Sequence, residues 1–289
     1  MNGGDAEAAI GLRNLWSLGE GLRLGTNLEH VHSLSGKADV ENSAVALALE
    51  YVGSPLWKGS TRIELRDAAS QQSLLHTVGV ASKINREWTF LGRNTYSIQK
   101  NKGGERDGAG HVIDRMQAGV AFRDADTDKV NALARVEHRE ERDDTQPGLE
   151  LKRSTELVSL HADWKPVRPF VLTGHYAAKW TKESSNGVAS RYRAQLVSGR
   201  ATWEFAPRWD IGLAASGLFG GQGRSKQYGL GLEVGYLVTT NLWVSAGYNL
   251  LGYHDDELAT GESTQKGVYV RLRYKFDEAA LGAGGEEKK

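Results

Sequence analysis

The sequence predicts an all-β fold, an antiparallel transmembrane β-barrel of about 14–16 strands, on three observations. Apolar residues recur with a period of two over segments of mostly 10–13 residues. Short connections alternate with longer polar ones. Tryptophans gather beside the short connections.

Composition bounds the reading. The chain has 289 residues, 39% hydrophobic and 25% charged, enough for one large β domain. It carries 35 Gly, 5 Pro, 8 Trp, 10 Tyr and no Cys. Freedom from cysteine suits a compartment that would oxidise stray thiols. The formal net charge is zero, which gives no global pull toward nucleic acid. Mean hydropathy is −0.47 and no apolar run is long enough for a membrane helix. Barrel strands escape that test, because lipid-facing and interior residues alternate and average to polar. Met1–Asp5 lacks the basic-then-apolar pattern of a leader. Residues 1–5 and 278–289 are expected to be disordered, flanking a barrel over 6–277.

Taken in order, the alternating segments fall at 6–16, 21–32, 43–52, 60–69, 73–84, 87–100, 112–123, 129–141, 154–164, 169–181, 190–205, 208–219, 227–238, 241–253 and 266–276. Most match the length of a tilted strand crossing a bilayer. Met116, Ala118, Val120 and Phe122 oppose Arg115, Gln117, Gly119 and Arg123. Phe170, Leu172, Tyr176 and Trp180 share another apolar face, as do Tyr228, Leu230, Leu232, Val234 and Tyr236. In the last segment Val268, Val270, Leu272, Tyr274 and Phe276 alternate with Tyr269, Arg271, Arg273 and Lys275. One segment changes parity: Tyr192, Ala194 and Leu196 set one apolar face, then Ala201, Trp203 and Phe205 the other. A β-bulge at Gly199 would restore the face. The segments number fifteen, and single-chain barrels carry even counts, so 14 or 16 strands are expected.

Short connections are expected at Gly19-Glu20, Asn85-Arg86, Asp124–Asp128, Pro166–Arg168, Ala206-Pro207 and Thr239-Thr240. Longer ones are expected at Ser33–Asn42, Asn101–Gly110, Asp143–Arg153, Glu183–Ala189, Gly220–Lys226 and Asp255–Lys266. Trp16, Trp57, Trp88, Trp164, Trp203, Trp209 and Trp243 lie within a few residues of a short connection. An amphipathic ring is most stable where lipid meets water, so these seven are expected to form a membrane-interface girdle.

The residues opposite the apolar faces should line the interior. Arg23, Arg62, Arg93, Arg115, Arg135, Glu137, Arg139, Arg193, Glu233, Arg271 and Arg273 are the principal ones. Over the whole chain this assignment gives sixteen bases against eight acids, a net cationic wall. Such a wall concentrates small anions. The same charges can instead pair across strands, and Glu137, Arg139 and Glu141 are spaced for such a ladder. Leu232→Arg should be costly, and Glu233→Arg, one residue on, mild.

Enzyme chemistry finds little support. Ser184-Ser185-Asn186-Gly187 has no His beside it, and His175 belongs to the interior set. His254-Asp255-Asp256 opens a polar loop and reads as solvated. His30 and His32 lie two apart on a strand, but two imidazoles without a third ligand make a poor metal site. Asp124, Asp126 and Asp128 resemble the start of a calcium loop, yet the Gly and distal Glu are missing. No catalytic residue, metal or cofactor is expected.

The run Gly267-Val268-Tyr269-Val270-Arg271-Leu272-Arg273-Tyr274-Lys275-Phe276 resembles the closing strand of bacterial outer-membrane β-barrels. The hairpins at Asn14–Leu24 and Thr239–Tyr248 are similar to those in the C-terminal barrels of large repeat-bearing surface proteins. The resemblance implies an outer-membrane pore or anchor. Its partners would be outer-membrane lipid, the barrel-assembly machinery and small anionic solutes, with no nucleic acid. The alternative is an outer-membrane hydrolase with its site at the extracellular rim.

Overall fold

The computed structural model describes residues 6–35, 41–221, 225–239, 241–253, 258 and 265–274. The tails expected to be disordered, His254-Asp255-Asp256, and the closing Lys275 and Phe276 lie outside the described residues.

Strands make up 80% of what is described. They are β1 (Ala6–Gly19), β2 (Leu22–Ser35), β3 (Glu41–Tyr51), β4 (Trp57–Ala68), β5 (Gln71–Lys83), β6 (Trp88–Asn101), β7 (Gly110–Arg123), β8 (Val130–Asp143), β9 (Leu151–Trp164), β10 (Phe170–Ser185), β11 (Val188–Ala206), β12 (Trp209–Gly220), β13 (Ser225–Thr239), β14 (Leu242–Leu251) and β15 (Gly267–Tyr274). They form one sheet in chain order, β1 to β15. The strand count among the described residues is fifteen, inside the expected range but not even. No described helix is long and apolar enough to cross a membrane, which says nothing about crossing by strands.

The chain divides into two compact units. The first comprises Met1–Phe122, Ala134–Val158 and Trp180–Tyr192; the second comprises Arg123–Leu133, Ser159–Lys179 and Arg193–Lys289.

In the first unit, strand pairing sorts side chains into two faces, because directly paired residues share a face. Leu28 meets Val45, Leu47 meets Ile63, and Leu65 meets Leu74 on one face. Arg23 meets Glu50, Ala46 meets Glu64, and Arg93 meets Gln117 on the other. The second unit repeats the division. Leu213, Leu232 and Tyr248 run across the apolar face, and Gly212, Glu233, Gly247 and Tyr269 across the polar one.

The apolar faces are the exposed ones. Ile10, Leu12, Leu47, Leu65, Leu213, Leu232, Val270 and Leu272 are all open to the surroundings, while Glu137 and Glu233 are buried. A water-soluble sheet would invert this, so the aliphatic face needs a non-aqueous neighbour.

Two sequence expectations fail here. The register runs unbroken from Ala194 opposite Gly220 to Trp203 opposite Ile211, so no bulge occurs at Gly199. Gln195, Val197, Gly199, Ala201 and Trp203 therefore share the apolar face, and the buried Ala194 and Leu196 share the polar face with Arg200. The sequence misleads because Gln195 and Gly199 interrupt the apolar face where Ala194 and Leu196 are apolar on the other. Second, the expected long loop Glu183–Ala189 is a two-residue turn. Asn186 (φ 49°) and Gly187 (φ 81°) both take positive φ, the pattern that matches strand twist in a tight hairpin. The Asn186 side chain also accepts from Glu150 N at 2.8 Å and donates to the Gly148 carbonyl at 2.5 Å. Ala69-Ser70 is likewise a two-residue link, so the strict alternation of short and long connections does not hold.

Candidate functional site

The polar face is organised around carboxylates that arginines enclose. In the first unit, Arg115 grips Glu137 with two parallel hydrogen bonds, Nε to Oε1 and Nη2 to Oε2, both 2.8 Å. This fork geometry is the strongest common form of ion pair. Gln117 Nε2 adds a third bond at 2.7 Å. Arg135 and Arg139 alternate with Glu137 along β8, on its face. Glu64 sits between Arg62 and Arg66 at 2.7 and 3.4 Å. Glu141 accepts from Arg153 at 3.3 Å, and Arg153 reaches Glu183 at 2.7 Å. Arg23 and Arg93 are exposed on this same face.

In the second unit the centre is Glu233, only 2% exposed. Arg200 binds its Oε1, Tyr269 donates to Oε2 at 2.8 Å, and Arg271 Nη1 lies 3.7 Å from Oε2. Glycine makes the arrangement possible. Gly247 lies under the Tyr269 ring, and a Cβ there would overlap it. Gly212 lies beneath the Arg200 guanidinium, where a Cβ would come to 3.0 Å from Nη2. A side chain at Gly247 would displace the Tyr269 ring from Glu233, and one at Gly212 would crowd Arg200.

Six of the seven expected girdle tryptophans lie on the apolar face. In the first unit Trp16 pairs with Leu24, Trp57 rests 4.4 Å from Tyr51, and Trp88 rests 4.9 Å from Phe122. In the second unit Trp203 stacks on Phe170 at 6.1 Å, Trp209 rests 4.7 Å from Tyr236, and Trp164 is exposed at the end of β9. All six adjoin a link from an odd to the next even strand.

Trp243 departs from this pattern. It pairs with Leu237 and Arg273, on the face of Glu233. Its Nε1 donates to Asp210 Oδ2 at 2.6 Å, and the Arg273 guanidinium lies 4.9 Å over its ring. It is a polar-face anchor rather than an interface aromatic, because unbroken alternation along β14 sets it with Ser245 and Gly247 and opposite to Val244. Arg193 also departs. By the alternation of β11 it falls on the face of Gln195 and Val197, because no bulge reverses the parity. The same error hid Arg200, the closest partner of Glu233.

The apolar face of the first unit turns polar toward one end. Asn94 donates to Asp114 at 2.7 Å, and His138 meets Glu156 at 2.5 Å, all on strand positions in phase with the aliphatic residues. No charge pattern in the sequence separates these groups from interior ones.

Among the described residues, the serine and histidine offered for a hydrolase are not brought together. Ser185 of the Ser-Asn-Gly run and His175 lie ten positions apart on β10, roughly 33 Å along a strand, so they do not meet. His175 lies beside His161, with ring centroids 6.0 Å apart. Asp124 caps the link after β7: the hydroxyl and the backbone N–H of Thr127 donate to it, holding its carboxyl at about 2. Asp128 is held below the ordinary carboxylate range by Lys165, 2.7 Å away. The aspartates are thus turn anchors.

No family model matches the chain, and no curated protein matches it. Solved structures do. The siderophore receptor PirA from Pseudomonas aeruginosa superposes with a TM-score of 0.61 at 10% identity, over 83% of this chain and 44% of the receptor. The ferric citrate transporter FecA gives 0.59 at 12% identity, over 96% and 54%. The chain has the fold of an outer-membrane β-barrel. The ferric enterobactin receptor PfeA from Pseudomonas aeruginosa gives 0.58 at 9% identity, over 86% and 45%. The chain thus spans about half the length of these proteins.

Proposed function

We propose that the chain is an integral outer-membrane barrel acting as a passive pore or membrane anchor, with the polar face lining a net cationic lumen. The observation that carries this reading is the polar face. Its buried acids, Glu137 and Glu233, are each enclosed by arginines or other donors, and Arg93, opposite the neutral Gln117, extends exposed beyond those groupings. A wall whose buried acids are matched presents the arginine charge that lies outside those groupings to the interior. The aliphatic face would meet outer-membrane lipid, with Trp16, Trp57, Trp88, Trp164, Trp203 and Trp209 at one interface. The barrel-assembly machinery would recognise the last strand.

Solutes would pass by diffusion, with small anions favoured. The neighbours named as receptors and a transporter support passage across a membrane as the theme. The likeness of two hairpins to barrels of repeat-bearing surface proteins supports the anchoring role.

Planar-bilayer recording of the refolded chain in a salt gradient tests the proposal. Discrete steps with a reversal potential on the anion side are expected. Cation preference would contradict the cationic lumen. Silence from heat-modifiable, β-rich protein would leave anchoring as the role and remove the pore.

A further inference from the structure

We infer that His30, His32 and Glu41 form a binding site for one divalent first-row transition-metal ion of the zinc and copper class. The two histidines occupy alternate positions of β2, so both imidazoles project from one face. Their rings stack, with centroids 6.4 Å apart and planes within 11°. Taken alone they would be a polar pair. The strand pairing supplies what the sequence lacked: β3 brings Glu41 directly opposite His32 and Ser43 opposite His30. One potential ligand atom from each of His30, His32 and Glu41 lies within 4.8 Å of the others. A small closure of three side chains, two of them exposed, brings such atoms to coordination distance from a common centre.

The partner of His30 strengthens the assignment. Its Nδ1 is 2.9 Å from Ser43 Oγ. With Nδ1–H donating to that hydroxyl, the tautomer is fixed and Nε2 carries the lone pair that a metal needs. Histidine ligands are commonly oriented by an outer partner in this way. Two imidazole nitrogens and one carboxylate oxygen form a borderline donor set. It suits zinc or copper, whereas calcium and magnesium require oxygen alone. Three protein ligands leave a position for water or an incoming ligand. Because His30 and His32 end β2 and Glu41 begins β3, the ion would clip the two strands together on either side of residues 36–40.

The test is isothermal titration of the full, tag-free chain in detergent with zinc chloride alone. The expected result is saturable uptake of one ion per chain, lost in His30→Ala and His32→Ala and weakened in Glu41→Gln. Ser43→Ala should weaken it by about tenfold, the ordinary effect of losing an outer partner. His76→Ala, elsewhere on the same face and bonded to Thr61 at 3.2 Å, should bind as the parent does. Heat-modifiable migration identifies folded variants, so loss of binding is not mistaken for loss of fold. Copper in place of zinc should show electron-spin couplings to two imidazole nitrogens, and to one in His32→Ala. Absence of saturable binding would overturn the site. So would undiminished affinity in folded His32→Ala, or equal loss in His76→Ala.

Discussion

Glu137 and Glu233 are both buried carboxylates on the polar face, and they are buried by different means. Glu137 is held by a fork from Arg115, whose own side chain is 44% exposed. Glu233 is roofed by Arg200 and Tyr269, which lie low over Gly212 and Gly247, and Arg200 is only 13% exposed. The first is a strong bond at a wet surface, and the second is a sealed network that depends on missing side chains. Charge pairing therefore gives little indication of how much each site stabilises. What matters is whether water can replace the lost partner.

The largest effect should come from Glu233→Arg, which removes the carboxylate and sets a third cation beside Arg200 and Arg271. Breaking a buried pair costs roughly 3 kcal/mol, and the added repulsion raises that. This reverses the mild effect expected from the sequence alone. Urea unfolding in lipid vesicles should show the midpoint falling by more than in Leu232→Arg, which places a charge on the aliphatic face at about 2–4 kcal/mol. If the Glu233 variant unfolds like the parent, the network is not sealed.

Glu137→Gln should cost less, about 1–2 kcal/mol, because water can solvate the exposed Arg115. The same unfolding series checks it, and a loss equal to that of Glu233→Arg would erase the distinction between the two sites. Gly247→Ala sharpens the comparison from the opposite side. Its Cβ would force Tyr269 off Glu233 at a cost of about 1–2 kcal/mol, as overfilled sites do. Combining it with Glu233→Gln should give less than the sum, since both break one network.

The smallest effect belongs to Asp124, outside the spans. Its folded carboxyl lies at about 2 against an ordinary 3.8, so the folded state holds the ionised form. The stabilisation is present above 3.8 and is lost as pH falls toward about 2. Asp124→Asn should lose that stabilisation at neutral pH and converge with the parent as pH falls toward about 2, as an acid titration of the unfolding midpoint would show.

Most of the fold was legible in the sequence, because period-two alternation is written residue by residue. Leu232 and Glu233 fall to opposite faces from their order alone. The site was legible only in part. Glu137, Arg115, Glu233 and Arg271 were assigned to the polar face, but which acid meets which base depends on register between strands. At β11 two small apolar residues on the polar face reversed the apparent parity, which concealed Arg200 and misassigned Arg193. Trp243 was misread because nearness to a turn does not fix the face. The third ligand beside His30 and His32 was invisible for the same reason, since pairing across β2 and β3 is not a local property.

Because the chain has no cysteine, single thiols test the central claim directly. Arg93→Cys and Leu232→Cys, each reconstituted in vesicles, would be treated with anionic and cationic water-soluble thiol reagents. The account predicts that the thiol at position 93 reacts, faster with the anionic reagent, and that the thiol at position 232 reacts with neither. Equal labelling at the two positions, or faster cationic labelling at 93, would contradict it.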